Sequence, residues 1–202
     1  MTPLETLLTN HPALVKIQAE ITRSLACLEE TFAAGNRLLI CGNGGSASDA
    51  DHIAGELLKG FALPRQLTPL ERTDLPPEIA DTLQRALPVI PLNGFPAFNS
   101  AFCNDCSAEL VFAQLVWALG SPGDTLLAIS TSGDSRNVCA AAQVARAKKM
   151  KVVALTGRTG GKLATIADHA IIVPEKDTYR IQEFHLPIYH ALCLSLENRF
   201  FG

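Results

Sequence analysis

Five short runs of this chain are apolar almost from end to end: Arg37–Cys41 (RLLIC), Leu87–Leu92 (LPVIPL), Thr125–Ser130 (TLLAIS), Lys151–Thr156 (KVVALT) and His169–Val173 (HAIIV). A strand with one face in water alternates apolar and polar residues. A continuous run needs cover on both faces, which is the condition of a parallel sheet between two layers of helices. Helical periodicity fills the intervals. Helices are predicted at Ser46–Phe61, Ala108–Leu119, Asp134–Lys149, Gly160–Ala167 and Thr178–Phe201, and ahead of the first strand Leu14, Ile17, Ile21, Leu25, Leu28 and Phe32 recur at helical spacing. The pattern predicts an α/β three-layer sandwich with a five-stranded parallel sheet.

Residues 1–202 read as one domain without repeats. Residues 1–34 form N-terminal helices divided at Asn10-His11-Pro12, with Gly35 placed to end the second. Residues 62–86 hold Pro64, Pro69, Pro76 and Pro77 among polar residues and read as an inserted irregular segment with a short helix near Pro77–Arg85. Hydrophobic residues at 48% against 18% charged exclude a disordered chain. No apolar run approaches the roughly 18 residues of a membrane span, and the N-terminus has no basic, then apolar, leader pattern. A net charge of −3 lacks the basic footprint of a nucleic-acid binder. The expectation is a cytoplasmic protein with a small-molecule ligand, no nucleic acid and no membrane. Of the six cysteines, Cys41 and Cys193 sit in apolar runs as small buried hydrophobes. The lone spacing Cys103-x-x-Cys106 reads as two unlinked thiols.

Two loops follow strands and lead directly into helices. The first is Gly42-Asn43-Gly44-Gly45-Ser46-Ala47-Ser48. The second is Ser130-Thr131-Ser132-Gly133-Asp134-Ser135. Each alone is most simply a turn with an ordinary N-cap. Together at one edge of a parallel sheet, offering helix N-terminal amides and hydroxyls, they favour a phosphorylated ligand. The first lacks the Gly-Lys-Ser/Thr of a nucleotide P-loop, and Ala47 breaks the dinucleotide spacing.

His52 and Glu56 stand four apart on the helix leaving the first loop, hence on one face. A solvated polar face is the commoner fate of such a pair. A carboxylate one or two turns into a helix that starts at the phosphate site could instead reach a substrate carbon. Gln182, Glu183, His185 and His190 cluster on the last helix, where His190 lies between apolar neighbours as a core or interface histidine would.

Taken together, CGNGGSASDADHIAGEL, Asn104-Asp105, LLAISTSGDSRNV, VVALTGRTGGKL and RIQEFHLPIYH resemble the sugar isomerase (SIS) domain, flavodoxin-like in fold, and within it the phosphoheptose isomerase family. The resemblance runs over about the whole chain. It implies interconversion of sedoheptulose 7-phosphate and D-glycero-D-manno-heptose 7-phosphate, on the way to lipopolysaccharide or other glycans, by a homotetramer with sites at subunit interfaces. It implies that Ser130, Thr131, Ser132 and Ser135 hold the phosphate, and that Asn43, Gly44, Gly45, Ser46, Asn104, Asp105 and Gln182 line the substrate. Glu56 and His190 would be the acid–base pair. In zinc-containing members the positions of His52, Glu56, Gln182 and His190 bind the metal. Moving a proton between adjacent carbons through an enediol needs one base, for which a partly buried carboxylate such as Glu56 suits, and a histidine for protons on oxygen.

The chain departs from the family pattern in places. The segment between Phe61 and Leu87 is longer than in enterobacterial-type members. Tyr179 replaces an acidic residue often found three places before the matching Gln182. Pro187 falls between Gln182 and His190, and eight residues of straight helix rise about 12 Å, too far for two ligands of one zinc unless Gln182 precedes the helix, the helix bends or two subunits contribute. The rival readings are a non-catalytic SIS regulator of the type that binds the replication initiator DnaA, and an isomerase of another sugar phosphate. Retention of both Glu56 and His190 favours the enzyme.

Overall fold

Strand β1 (Leu38–Cys41) is the second strand of the sheet in the computed structural model, which describes residues 1–202. On one side it pairs with β2 (Val89–Pro91), on the other with β3 (Thr125–Ser130), followed by β4 (Lys151–Thr156) and β5 (His169–Ile172), all parallel. The order β2-β1-β3-β4-β5 is the flavodoxin-like doubly wound arrangement. The chain leaves β1 and β3 in opposite directions, so a crevice opens between their carboxyl ends, beneath the two loops singled out above.

Side chains alternate across the strands and feed two cores. Leu38, Ile40, Leu127, Ile129, Val153 and Leu155 face one layer of helices: α1 (Pro3–Asn10), α2 (Gln18–Ala33), α3 (Gly45–Leu57) and α9 (Thr178–Phe201). Leu39, Cys41, Leu126, Ala128, Val152 and Ala154 face α6 (Val111–Leu119), α7 (Arg136–Ala147) and α8 (Gly161–Ile166). Both faces are dry, which is why the runs carry no alternation. Along the first layer α3 and α9 lie side by side and point the same way: Gly45 meets Gln182, and His52 meets Tyr189, 137 residues on.

Several boundaries differ from the expectations. The second N-terminal helix opens as a 3-10 stretch, Pro12–Ile17, before α2. Helix α3 stops at Leu57, not Phe61, because the chain turns into contacts with α9 described below. The short helix α4 spans only Pro77–Ala80. Helix α5 (Pro96–Phe102) was not expected, and the helix predicted from Ala108 begins at Val111 after a π turn at Cys103–Ser107 and a 3-10 turn. Residues 62–86 are held by their own contacts: the Arg85 amide donates to the Arg65 carbonyl at 2.7 Å, Arg72 pairs with Asp81, and Glu71 pairs with Arg85. All six cysteines are free, with Cys103 and Cys106 exposed. No helix is long and apolar enough to cross a membrane.

Candidate active site

Three helices start at one place without a side-chain cap. Helix α3 is entered through Gly44 (φ 57°, ψ −121°), a conformation open to glycine and strained for other residues. Ser135 stands at the N-cap of α7 and Asp177 at that of α9, yet neither side chain makes a capping bond. The Ser135 hydroxyl instead lies 3.0 Å from that of Ser130, at the end of β3. The first amides of each helix lack intrahelical partners, and these three termini surround a cavity of about 280 Å³ lined by Asn43, Gly44, Gly45, Ser46, Ser130, Thr131, Ser135, Thr178 and Gln182 with Ile129. No lysine or arginine lines it. The cavity offers an anion helix dipoles, amides and hydroxyls, not a cation. A Cβ at Gly45 would run into the Gln182 amide and displace that side chain from the cradle. Across the mouth, Asn43 and Asn137 exchange a reciprocal pair of amide hydrogen bonds, each 2.9 Å, which locks the two loops together.

Two turns further along the α3–α9 seam lies a second cluster. His52 Nε2 is 3.2 Å from Glu56 Oε1; the Glu56 side chain is largely covered at 15% exposure, while His52 is open to solvent at 42%. Tyr189 Oη lies 3.0 Å from His52 Nδ1, fixing the ring. Burial, then the nearby Asp49 carboxylate, pushes the Tyr189 hydroxyl well above its ordinary pKa, and burial also raises Asp49. The His190 ring stands 5.0 Å from that of His52 and 5.5 Å from Phe61, centroid to centroid. Burial first, then the neighbouring His52, lowers the His190 pKa, with Glu56 opposing, so the imidazole is held neutral. Its Nε2 is buried without a hydrogen-bond partner. A carboxylate touching one imidazole, with a second neutral imidazole beside them, is equipped for proton transfer.

The structure thus gathers Asn43, Gly44, Gly45, Ser46, Ser130, Thr131, Ser135 and Gln182 in the cradle, and His52, Glu56 and His190 in the cluster. Ser132 does not line the cavity; its hydroxyl accepts from the Asp134 amide at 3.1 Å. Asn104 and Asp105 bond to each other at 2.8 Å on the exposed π turn, and neither lines the cavity. Gln182 belongs to the cradle and not to the cluster. Helix α9 runs unbroken through Pro187, so Gln182 and His190 remain two turns apart. The orphaned His190 nitrogen suits a metal, as do its neighbours by donor type. The four expected zinc donors nevertheless do not fit one site in a single chain, and no three His, Cys, Asp or Glu side chains are grouped to hold a metal. Sequence reasoning missed Thr178, whose position opening the last helix was the available signal, and Tyr189, whose role depends on the register of α3 against α9. His185, grouped with His190 from sequence, is completely buried elsewhere on the helix.

A doubly wound sheet with an uncapped anion cradle at its switch point and a carboxylate–imidazole pair beside it defines a protein that works on a small phosphorylated molecule. The SIS domain model matches residues 100–196. Curated phosphoheptose isomerases of Trichlorobacter lovleyi and Helicobacter pylori are 39% and 40% identical, over 96% and 93% of this chain and 92% and 88% of their own length. The solved phosphoheptose isomerase GmhA of Neisseria gonorrhoeae superposes with a TM-score of 0.77 at 32% identity, covering 96% of this chain and 94% of its own. The chain belongs to the phosphoheptose isomerase family.

Proposed function

We propose that the protein is an aldose–ketose isomerase that interconverts sedoheptulose 7-phosphate and D-glycero-D-manno-heptose 7-phosphate through an enediol. The observation that carries this reading is the α3–α9 seam, which supports the uncapped cradle at one end and the Glu56–His52–His190 cluster farther along. The phosphate sits at the helix N-termini. Glu56 takes a proton from one carbon and returns it to the next, while neutral His190 serves protons on oxygen. Glu56 lies eleven residues beyond Gly45, about 16 Å along the helix axis, and its side chain leans back toward the N-terminus. Such a separation suits a long open-chain sugar phosphate better than a short one.

Purified protein incubated with sedoheptulose 7-phosphate is expected to yield the aldose by NMR, and Glu56→Gln to lose turnover by about 10²-fold or more while keeping its thermal midpoint. Wild-type activity in that variant would remove the base assignment. No turnover in the wild type, with binding to a replication initiator, would favour the regulator. Zinc is proposed on the set the resemblance implies, His52, Glu56, Gln182 and His190, with donors drawn from more than one subunit because one chain does not bring them together; when bound it would polarise the substrate carbonyl. Assembly as a homotetramer is also proposed, supported by the exposed Trp117, Tyr179 and Leu186, and light scattering of the eluted protein tests it.

A further inference from the structure

We propose that the buried ion pair Arg65–Glu197 is a positioning device for the proton-transfer cluster, an inference that rests on the function given above. Both side chains are completely buried, and Arg65 Nε lies 2.8 Å from Glu197 Oε1. The rest of the guanidinium closes the end of α3: Nη1 donates to the Leu57 carbonyl at 2.8 Å and Nη2 to the Glu56 carbonyl at 3.0 Å. The Glu197 carboxylate accepts the next amides of the turning chain, Phe61 and Ala62 at 2.7 Å and Leu63 at 3.1 Å. Burial pushes this carboxyl up, but those amides and Arg65 outweigh it and hold it below its ordinary pKa.

Glu56 occupies the last turn of α3, the part of a helix that frays. Arg65 bonds its own carbonyl and the next one, so the turn carrying the base is pinned from outside the helix. A positive charge at a helix C-terminus is also favoured by the dipole. Glu197 fixes the backbone of Phe61, whose ring backs His190. One ion pair therefore sets both members of the acid–base pair: Glu56 through its backbone and His190 through a neighbouring ring. The pair also serves stability by satisfying these five backbone groups, so its positioning role is read from kcat and the pH profile and not from the midpoint. Arg65 and Glu197 do not touch the reacting atoms; they are positioning residues.

The test compares wild type with Arg65→Lys and with the double variant Arg65→Met/Glu197→Leu, which removes both charges together. Thermal midpoint, kcat and KM for sedoheptulose 7-phosphate, the pH profile of kcat, and hydrogen exchange at the Leu58 amide, bonded to the Ala54 carbonyl, are measured. The double variant is expected to fold with a lowered midpoint, because three amides and two carbonyls lose their partners, to keep its KM, to lose kcat at least tenfold with a shifted pH profile, and to exchange Leu58 faster. Lysine cannot make the forked contact, so Arg65→Lys also loses kcat; this variant decides if the double variant does not fold. Wild-type kcat with unchanged Leu58 protection, in whichever variant folds, overturns the proposal. Should the wild type prove inert on the sugar, the functional reading fails, and the Leu58 exchange still decides whether the pair pins the turn.

Discussion

Acidification should destabilise this protein through His185. Its side chain is completely buried in α9, neither ring nitrogen has a hydrogen-bond partner, and burial lowers its pKa from 6.5 to about 4, the adjacent Thr156 carbonyl opposing without reaching hydrogen-bond geometry. The folded state binds the proton less well than the unfolded state. The stabilisation is therefore complete above pH 6.5, erodes as pH falls from 6.5 toward 4, and is spent below that. The full difference is about 3 kcal/mol, of which about 2 kcal/mol is lost at pH 5. For a chain of this size that corresponds to a thermal midpoint lower by about 4–8 °C. Carboxylates titrate over the same range, so wild type is compared with His185→Leu at one protein concentration, because association also shifts midpoints. Between pH 7 and pH 5 the variant should lose about 2 kcal/mol less than wild type. Parallel losses would show that the ring is already protonated, or hydrated, in the fold. The same reasoning separates the two histidines of α9: dry His185 cannot serve a substrate proton, whereas His190 stands beside His52 in the cluster.

Gly45→Ala drives a methyl group into the Gln182 amide; KM for the sugar phosphate should rise about tenfold, equivalent to about 1.4 kcal/mol, with the fold kept, and steady-state kinetics check it. Inorganic phosphate at about 100 times its Kd should stabilise the fold by about 2.7 kcal/mol, and Ser135→Ala should weaken that protection in a thermal shift assay. Metal analysis of protein made without a histidine tag should find zinc that falls in His52→Ala; full activity with only trace zinc would remove the metal. A thiol reagent should modify Cys103 and Cys106 in the native protein and spare Cys27, Cys41, Cys139 and Cys193, which are buried.

Where a residue's fate was decided locally, the sequence was enough. Strands β3 and β4 and helix α9 begin and end at the residues predicted, because an apolar run meets Ser130 or Thr156 at the sheet edge and Thr178 opens an uninterrupted helical pattern. Where distant contacts decide, it was not. Helix α3 ends early because Arg65 and Glu197, far apart in sequence, close it. The apolar pattern of Pro96–Phe102 has no clear period, and that helix is held by Phe98 and Phe102 stacked on each other and packed on the second core. The cradle was readable because both its loops follow strands of a parallel sheet. Helical rise raised the separation of Gln182 from His190 but left a bend at Pro187 open, which the unbroken helix α9 closes. Tyr189 behind His52 was not readable, since a helix pattern carries no information about which neighbour it will lie against.

The cradle's chemistry limits how tightly it can hold a bare anion. Each helix terminus typically contributes roughly 0.3–1 kcal/mol to a nearby negative charge, so α3, α7 and α9 together supply about 1–3 kcal/mol. A millimolar Kd requires about 4 kcal/mol. No lysine or arginine lines the cavity to make up the difference, which leaves the Ser130, Thr131 and Ser135 hydroxyls and the loop amides to bring inorganic phosphate to the millimolar range. Any tighter binding of a substrate must come from the sugar along the α3–α9 seam. That is a useful arrangement for an isomerase, because contacts spread over the carbon chain hold it in line with Glu56. A cationic grip on the phosphate alone would strengthen binding without aligning the reacting carbons.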